Sequence, residues 1–218
     1  MSTSSPYYRG SRAEVAKFLP EQYVKVLEVG CGEGGFHNNL LQDSEHWGIE
    51  PVHAACCIAR GKLHRVIEAS YLEAFGQLPD KYFDIVICND VIEHMVDHDE
   101  FFRTIKQKIK EDACLVGSIP NVRHVGNLAK ILFLRDWKYE GEGVLDRTHL
   151  RFFTQKSLIR LFRENGFAIE AFAGINEVEP GLASPRKFLK YVLTFIFGRD
   201  TRFLQFGFRI RYMGPSDK

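Results

Sequence analysis

No stretch of this 218-residue sequence approaches the roughly 18 consecutive apolar residues that a membrane-spanning helix needs. The first ten residues, MSTSSPYYRG, carry no apolar segment of the secretory type, so no signal peptide is expected. Cysteine is scarce and unpatterned. Cys31, Cys56, Cys57, Cys88 and Cys114 form no C-x-x-C pair, and no histidines stand at zinc-like spacing. A disulfide framework is therefore excluded and no metal site is indicated; reduced thiols in a cytoplasmic protein are expected. A formal net charge of +1 gives no reason to expect nucleic-acid binding by the whole chain. Internal repeats and low-complexity tracts are missing as well.

What is present is a globular composition, with 45% hydrophobic and 26% charged residues. The length allows one sizeable core, so a single domain over 1–218 is expected. Short apolar runs alternate with helix-like segments, which predicts an α/β fold with a parallel sheet and crossover helices. Strands are predicted at 24–29, 46–50, 65–68, 83–89, 114–119, 168–173 and 204–212. The clearest is FDIVICN at 83–89, continuous and β-branched as a central strand should be. Helices are predicted at 35–42, 52–60, 101–110, from an N-cap at Thr154 to Asn165-Gly166, and at 186–197. Residues 120–153 do not follow the alternation, being rich in Arg, His, Trp and Gly.

The segment VLEVGCGEGGF at 26–36 sets an acid and closely spaced glycines just after a strand. Glycines let the backbone turn sharply and approach a ligand without a Cβ clash, and the helix that follows offers unpaired N–H groups. Gly30, Gly32 and Gly35 satisfy G-x-G-x-x-G, a weak signal alone that also fits a nicotinamide enzyme. The dinucleotide fingerprint places a pyrophosphate at the helix start. Glu28, two residues before Gly30, instead suits a ligand with a cationic amine, which it would meet directly or through water.

With these residues the sequence resembles class I S-adenosylmethionine (SAM)-dependent methyltransferases. The resemblance implies a Rossmann-like seven-stranded sheet, mostly parallel with an antiparallel last strand, and helices on both faces. It implies SAM as cofactor and S-adenosylhomocysteine as product. It gives Glu50, in GIEP at 48–51, the ribose hydroxyls, and a carboxylate there can accept two hydrogen bonds from a diol. The cofactor set is then Glu28, Gly30, Cys31, Gly32, Gly34, Glu50, Pro51, Ser70, Tyr71, Asn89 and Asp90. After the third strand, where the family usually has an acid near the adenine, this chain has EASY at 68–71, so Ser70 offers a hydroxyl instead. Asn89 and Asp90, opening NDVIEH, would flank the methionine part.

A narrower resemblance rests on IPNVRH at 119–124, WKY at 137–139, GVLDRTHLRFFT at 143–154 and ENGF at 164–167. It is to a bacterial methyltransferase group associated with surface-polysaccharide and glycosyl-transfer pathways, and it implies an oxygen of a small-molecule or glycan-type acceptor. Class I sheets bind ligands at the C-terminal ends of their strands, so residues after the fifth strand would lie near the methyl group. An alcohol must lose its proton, and histidine is suited to take it near neutral pH. The candidate bases are His149 first, His94 second and His124 third. Arg123, Arg147 and Arg151 would hold carboxylate, phosphate or sugar hydroxyls, and Tyr139 would stack on a sugar. A structural role for the Asp-Arg-Thr-His cluster stays open.

On this reading 1–22 form an N-terminal lid with Tyr7, Tyr8, Arg9 and Arg12, 24–119 the cofactor half, 120–153 a substrate-side insertion, and 154–218 a C-terminal helix and strand. The last segment is basic: 185–218 hold eight Lys or Arg against two Asp or Glu. The apolar helix at 186–197, with Lys187 and Lys190, would pack on the sheet or a second copy, or touch the inner membrane face. Three rivals remain: a quinone or lipid-phenol O-methyltransferase, a SAM-binding scaffold without catalysis, and a nicotinamide enzyme.

Overall fold

A computed structural model describes residues 11–178 and 185–213. Tyr7, Tyr8 and Arg9 lie outside them, as do the side chains of Lys187 and Lys190. Thirteen regular elements carry the fold, in the order β1 (Lys25–Val29), β2 (Glu45–Glu50), α1 (His53–Ala59), β3 (Arg65–Glu68), α2 (Tyr71–Ala74), β4 (Phe83–Asn89), α3 (His98–Lys108), β5 (Ile109–Pro120), α4 (Val125–Ala129), α5 (Gln155–Glu164), β6 (Phe167–Glu177), α6 (Pro185–Phe197) and β7 (Phe203–Tyr212). The strands form one sheet in the order β3-β2-β1-β4-β5-β7-β6. Its first five strands pair in parallel, and β7 lies antiparallel between β5 and β6.

Alternation along β4 explains its central place. Val86 and Cys88 pack on one face with Phe102 of α3 and Phe162 of α5. Ile85 and Ile87 pack on the other with Val15, Phe18 and Phe36. A strand buried on both faces is an apolar run, as the sequence shows.

Several predicted boundaries shift, each for a local reason. The helix expected at 101–110 starts at His98, because Asp97 accepts a 2.8 Å hydrogen bond from the Glu100 N–H. It ends at Lys108, and β5 begins at once at Ile109, with a register irregularity before the predicted 114–119 run. The helix expected at 35–42 is a single 3₁₀ stretch, Gly35–Asn39. A further 3₁₀ turn, Ala13–Phe18, covers the sheet beneath β7, and the Tyr71–Ala74 helix was not foreseen.

The order of strands fixes where a ligand sits. Direction of connection reverses between β1 and β4, and open α/β sheets bind ligands beyond the strand ends at that switch point. Glu28 and Gly30 leave β1 there, Glu50 ends β2, and Asn89 ends β4.

Candidate active site

A cleft of about 520 Å³ opens over these strand ends. Of the residues singled out for a cofactor, Glu28, Gly30, Cys31, Gly32, Glu50, Pro51, Asn89 and Asp90 line it. Ser70 and Tyr71 line an adjoining pocket of about 280 Å³ that shares Gly30, Pro51, Val91 and His94 with the cleft. Gly34 lines neither; with φ +75° it starts the Gly35–Asn39 turn and packs against Leu63.

The glycine turn is needed for close approach. Gly30 has φ +72°, and a Cβ there would lie 2.4 Å from Val91 Cγ2, so any side chain would push the β1 and β4 loops apart. Cys31 fills space instead of reacting: it lies where a Cβ on Gly48 would be 2.5 Å from its Sγ. Burial, with the charges of Glu28 and Glu50 nearby, pushes its thiol well up, away from the reactive thiolate.

Glu50 is held from two sides. The Gly32 N–H donates to Oε2 at 3.0 Å and the Val52 N–H to Oε1 at 2.9 Å. Two of its roughly four lone-pair sites are thereby used, and a diol could take the others. Burial raises its pKa above the ordinary carboxylate value, against the two N–H donors. Glu28 is buried too, with His46 Nε2 3.0 Å from its Oε2. Burial raises its pKa, and His46 opposes the shift in part. Both side-chain polar atoms of Asn89 are buried without a hydrogen-bond partner at the cleft wall. Such an amide awaits a ligand or water. Buried acids one strand apart and an unpaired amide fit the ammonium, diol and amino-acid end of SAM.

Asp90, with φ +52°, is engaged by three partners. It accepts from Ser118 Oγ at 2.8 Å and Gln205 Nε2 at 2.5 Å, and pairs with Arg12 at 2.5 Å. Arg12, the one of the four residues named for the expected lid that is among the described residues, also lines the cleft.

The acceptor side is built by the segment after β5. Asp146, Arg147 and Thr148 line the cleft with His94. Asp146 accepts from the Thr148 N–H at 2.8 Å and the Thr148 hydroxyl at 2.6 Å. Burial alone would raise its pKa; these bonds more than offset that and leave it lowered. His149 stands behind His94, ring centroids 4.7 Å apart, and donates through its Nδ1–H to Val144 O at 3.0 Å. Glu93, beside His94 in the chain, is 1% exposed, and both carboxylate oxygens lack a hydrogen-bond partner. Burial, and next the charge of Asp90, push its pKa well up. Burial and the neighbouring His149 lower that of His94.

Other expected acceptor residues lie elsewhere. Arg123 is tied to Asp200 Oδ2 at 2.7 Å and to Phe197 O at 2.6 Å, a brace between the β5 loop and α6. His124 precedes α4 and lines neither cavity. Tyr139 tilts against Phe152 with its surface half exposed. Arg151 donates to Leu150 O and Val96 O, each at 3.0 Å. Sequence reasoning missed Glu93, Thr148 and His46. Glu93 stood beside a named histidine, but an acid on a loop signals nothing until its burial is known.

The architecture is that of SAM-dependent methyltransferases. A structure of a SAM-dependent methyltransferase from Archaeoglobus fulgidus has the same fold, with TM-score 0.62 and 21% identity, covering 94% of this chain and 96% of that one. The chain belongs to the methyltransferase-domain family, whose model matches residues 7–171. Among curated proteins it is similar to ubiquinone biosynthesis O-methyltransferases. That of Yersinia enterocolitica is 31% identical over 96 residues, 40% of this chain and 39% of that protein. That of Aeromonas salmonicida is 25% identical over 163 residues, 70% of this chain and 66% of that protein. The chain thus spans less than two thirds of these relatives.

Proposed function

We propose that this protein transfers the methyl group of SAM to a hydroxyl oxygen of a small-molecule acceptor. The observation that carries this is the convergence of Glu28 and Glu50, leaving adjacent strands, on one cleft whose far wall holds His94 and Thr148. SAM supplies an electrophilic methyl carbon on a sulfonium, and the chain has to align an oxygen with it and see its proton leave. Glu28 and Asn89 would receive the amino-acid end, Glu50 the ribose, and Ser70 and Tyr71 the side of the adenine. Arg147 and Thr148 would hold the acceptor. His94, on the cleft wall, faces the hydroxyl, with His149 and Glu93 behind it.

For the acceptor, a sugar hydroxyl of a glycan or glycan precursor is supported by the polar wall of Arg147, Thr148 and Asp146. A quinone-precursor phenol is supported by the named activity of the curated relatives. No described helix is long and apolar enough to cross a membrane. Exposed Phe188, Phe195 and Ile196 on α6 support contact of that helix with a membrane face or a second copy.

The test measures S-adenosylhomocysteine release with nucleotide sugars, glycan precursors and prenylated phenols. His94→Ala should cut turnover by about 10²–10⁴-fold while SAM affinity stays near wild type. Tight SAM binding with no turnover on any acceptor would leave the scaffold reading instead.

A further inference from the structure

The geometry points to a divalent metal site formed by Glu93, His94 and His149, with an open position facing the cleft. A ligand oxygen or nitrogen from each of the three lies within 4.8 Å of the others. His149 Nε2 is 3.9 Å from Glu93 Oε1, near the roughly 3.4 Å edge of a tetrahedron with bonds of about 2.1 Å.

The histidine tautomers support the assignment. His94 Nδ1 lies 3.1 Å from Thr148 O, and His149 Nδ1 lies 3.0 Å from Val144 O. A carbonyl oxygen only accepts, so each Nδ1 carries the proton and each Nε2 its lone pair. Metal-bound histidines are oriented this way, by a backbone carbonyl behind the ring. The two loops that bring the groups together are also sewn to one another. The Leu150 and Arg151 N–H groups donate to Glu93 O at 2.8 and 3.1 Å. The three ligands are therefore preorganised by bonds that a cation would not disturb.

Glu93 is the independent observation. A carboxylate 1% exposed, with neither oxygen hydrogen-bonded, is costly to keep. A bound cation would offset that cost. Asp90, itself an acid, adds to that cost, and its carboxylate is already engaged by Ser118, Gln205 and Arg12. Two imidazole nitrogens and one carboxylate suit Zn²⁺, Mn²⁺ or Fe²⁺ better than Mg²⁺ or Ca²⁺, which prefer oxygen. Three protein ligands leave a position for a substrate oxygen, as in catalytic rather than structural sites. His94 lines the cleft, so that position opens onto it. The cation would take the acceptor hydroxyl oxygen and lower its pKa. The hydroxyl proton passes to water, and the bound alkoxide oxygen forms the new bond to methyl as the sulfur–methyl bond of SAM breaks, its electron pair staying on sulfur to leave S-adenosylhomocysteine. This use of the cation rests on the methyl-transfer reading; its binding does not.

The test uses the whole protein, stripped with a chelator and titrated by calorimetry with Zn²⁺, Mn²⁺ and Mg²⁺. Expected is one Zn²⁺ or Mn²⁺ per chain, with Mg²⁺ much weaker. Glu93→Gln and His149→Ala should each weaken binding by about tenfold or more. Co²⁺ should give visible absorption bands of nitrogen and oxygen coordination, and His94→Ala, on the half-buried cleft wall, should alter them. Circular dichroism checks that each variant is folded. No binding of Zn²⁺ or Mn²⁺ up to about 1 mM, or equal binding by folded Glu93→Gln and His149→Ala, overturns the site. SAM titrated in parallel separates the two readings. SAM without metal removes this inference alone, and metal without SAM removes the methyl-transfer reading alone.

Discussion

Glu28 and Glu50 are acids held where the charged form is disfavoured, burial being the larger cause for both. A raised carboxyl contributes stability to the ligand-free protein below its ordinary value of 4.5, and that contribution fades as pH rises through the raised value. An ammonium group set against Glu28 reverses the balance and favours the ionised acid. Between the ordinary and the raised value, SAM binding should therefore release protons. Calorimetry in two buffers with different heats of protonation reads this directly. The apparent enthalpies should differ in the sense of proton release, and Glu28→Gln should shrink the difference. Identical enthalpies for the wild type would mean that Glu28 never meets the ammonium. Glu28 was legible in the sequence because it stands two residues before Gly30 at a strand end, and Glu50 through the family resemblance of GIEP at 48–51. His46, which opposes the shift of Glu28, was not, since its place beside Glu28 depends on the pairing of β1 with β2.

Among the elements, the 3₁₀ turn Ala13–Phe18 links one face of the sheet to the cleft. The Phe18 ring lies so close to β7 that a Cβ on Gly207 would meet it at 2.2 Å. Arg209 Nη1 donates to Leu19 O at 3.2 Å, and Arg12, just before the turn, reaches Asp90 in the cleft. The turn thus packs one face of the sheet and delivers a cation to the site. Phe18→Ala should cost about 3–5 kcal/mol in urea unfolding and weaken SAM binding, because the cavity loosens Arg12. A loss below about 1 kcal/mol would show that the turn is only lightly attached. Periodicity could not reveal this element, for six residues of 3₁₀ helix make two turns and leave no repeat to read. β4 was legible for the opposite reason, being a seven-residue apolar run buried on both faces. The predicted helix at 35–42 failed because Gly34 and Gly35 start a tight turn that ends at Leu40 in an extended conformation.

Across the whole molecule, the cleft draws on segments far apart in the chain: the turn near Arg12, three parallel strand ends, and the loop at 146–148. The cofactor half was readable because its groups follow strands in simple order. The ranking of His149 over His94 was not, because which ring faces the cleft depends on how 120–153 folds back over the β4 loop. A ligand that touches so many segments binds the folded chain and not the unfolded one, so it must stabilise the whole domain. At about 100 times its dissociation constant the gain is about 2.7 kcal/mol, which for a chain of this size raises Tm by about 5–11 °C. SAM and S-adenosylhomocysteine should produce this shift and NAD should not. In Glu50→Ala, which loses the diol's acceptor, the same SAM concentration should give a clearly smaller rise, since affinity falls by about 1–3 kcal/mol. A full shift in Glu50→Ala would place the ribose away from β2, and a shift with NAD alone would return the cleft to the dinucleotides that Gly30, Gly32 and Gly35 also fit.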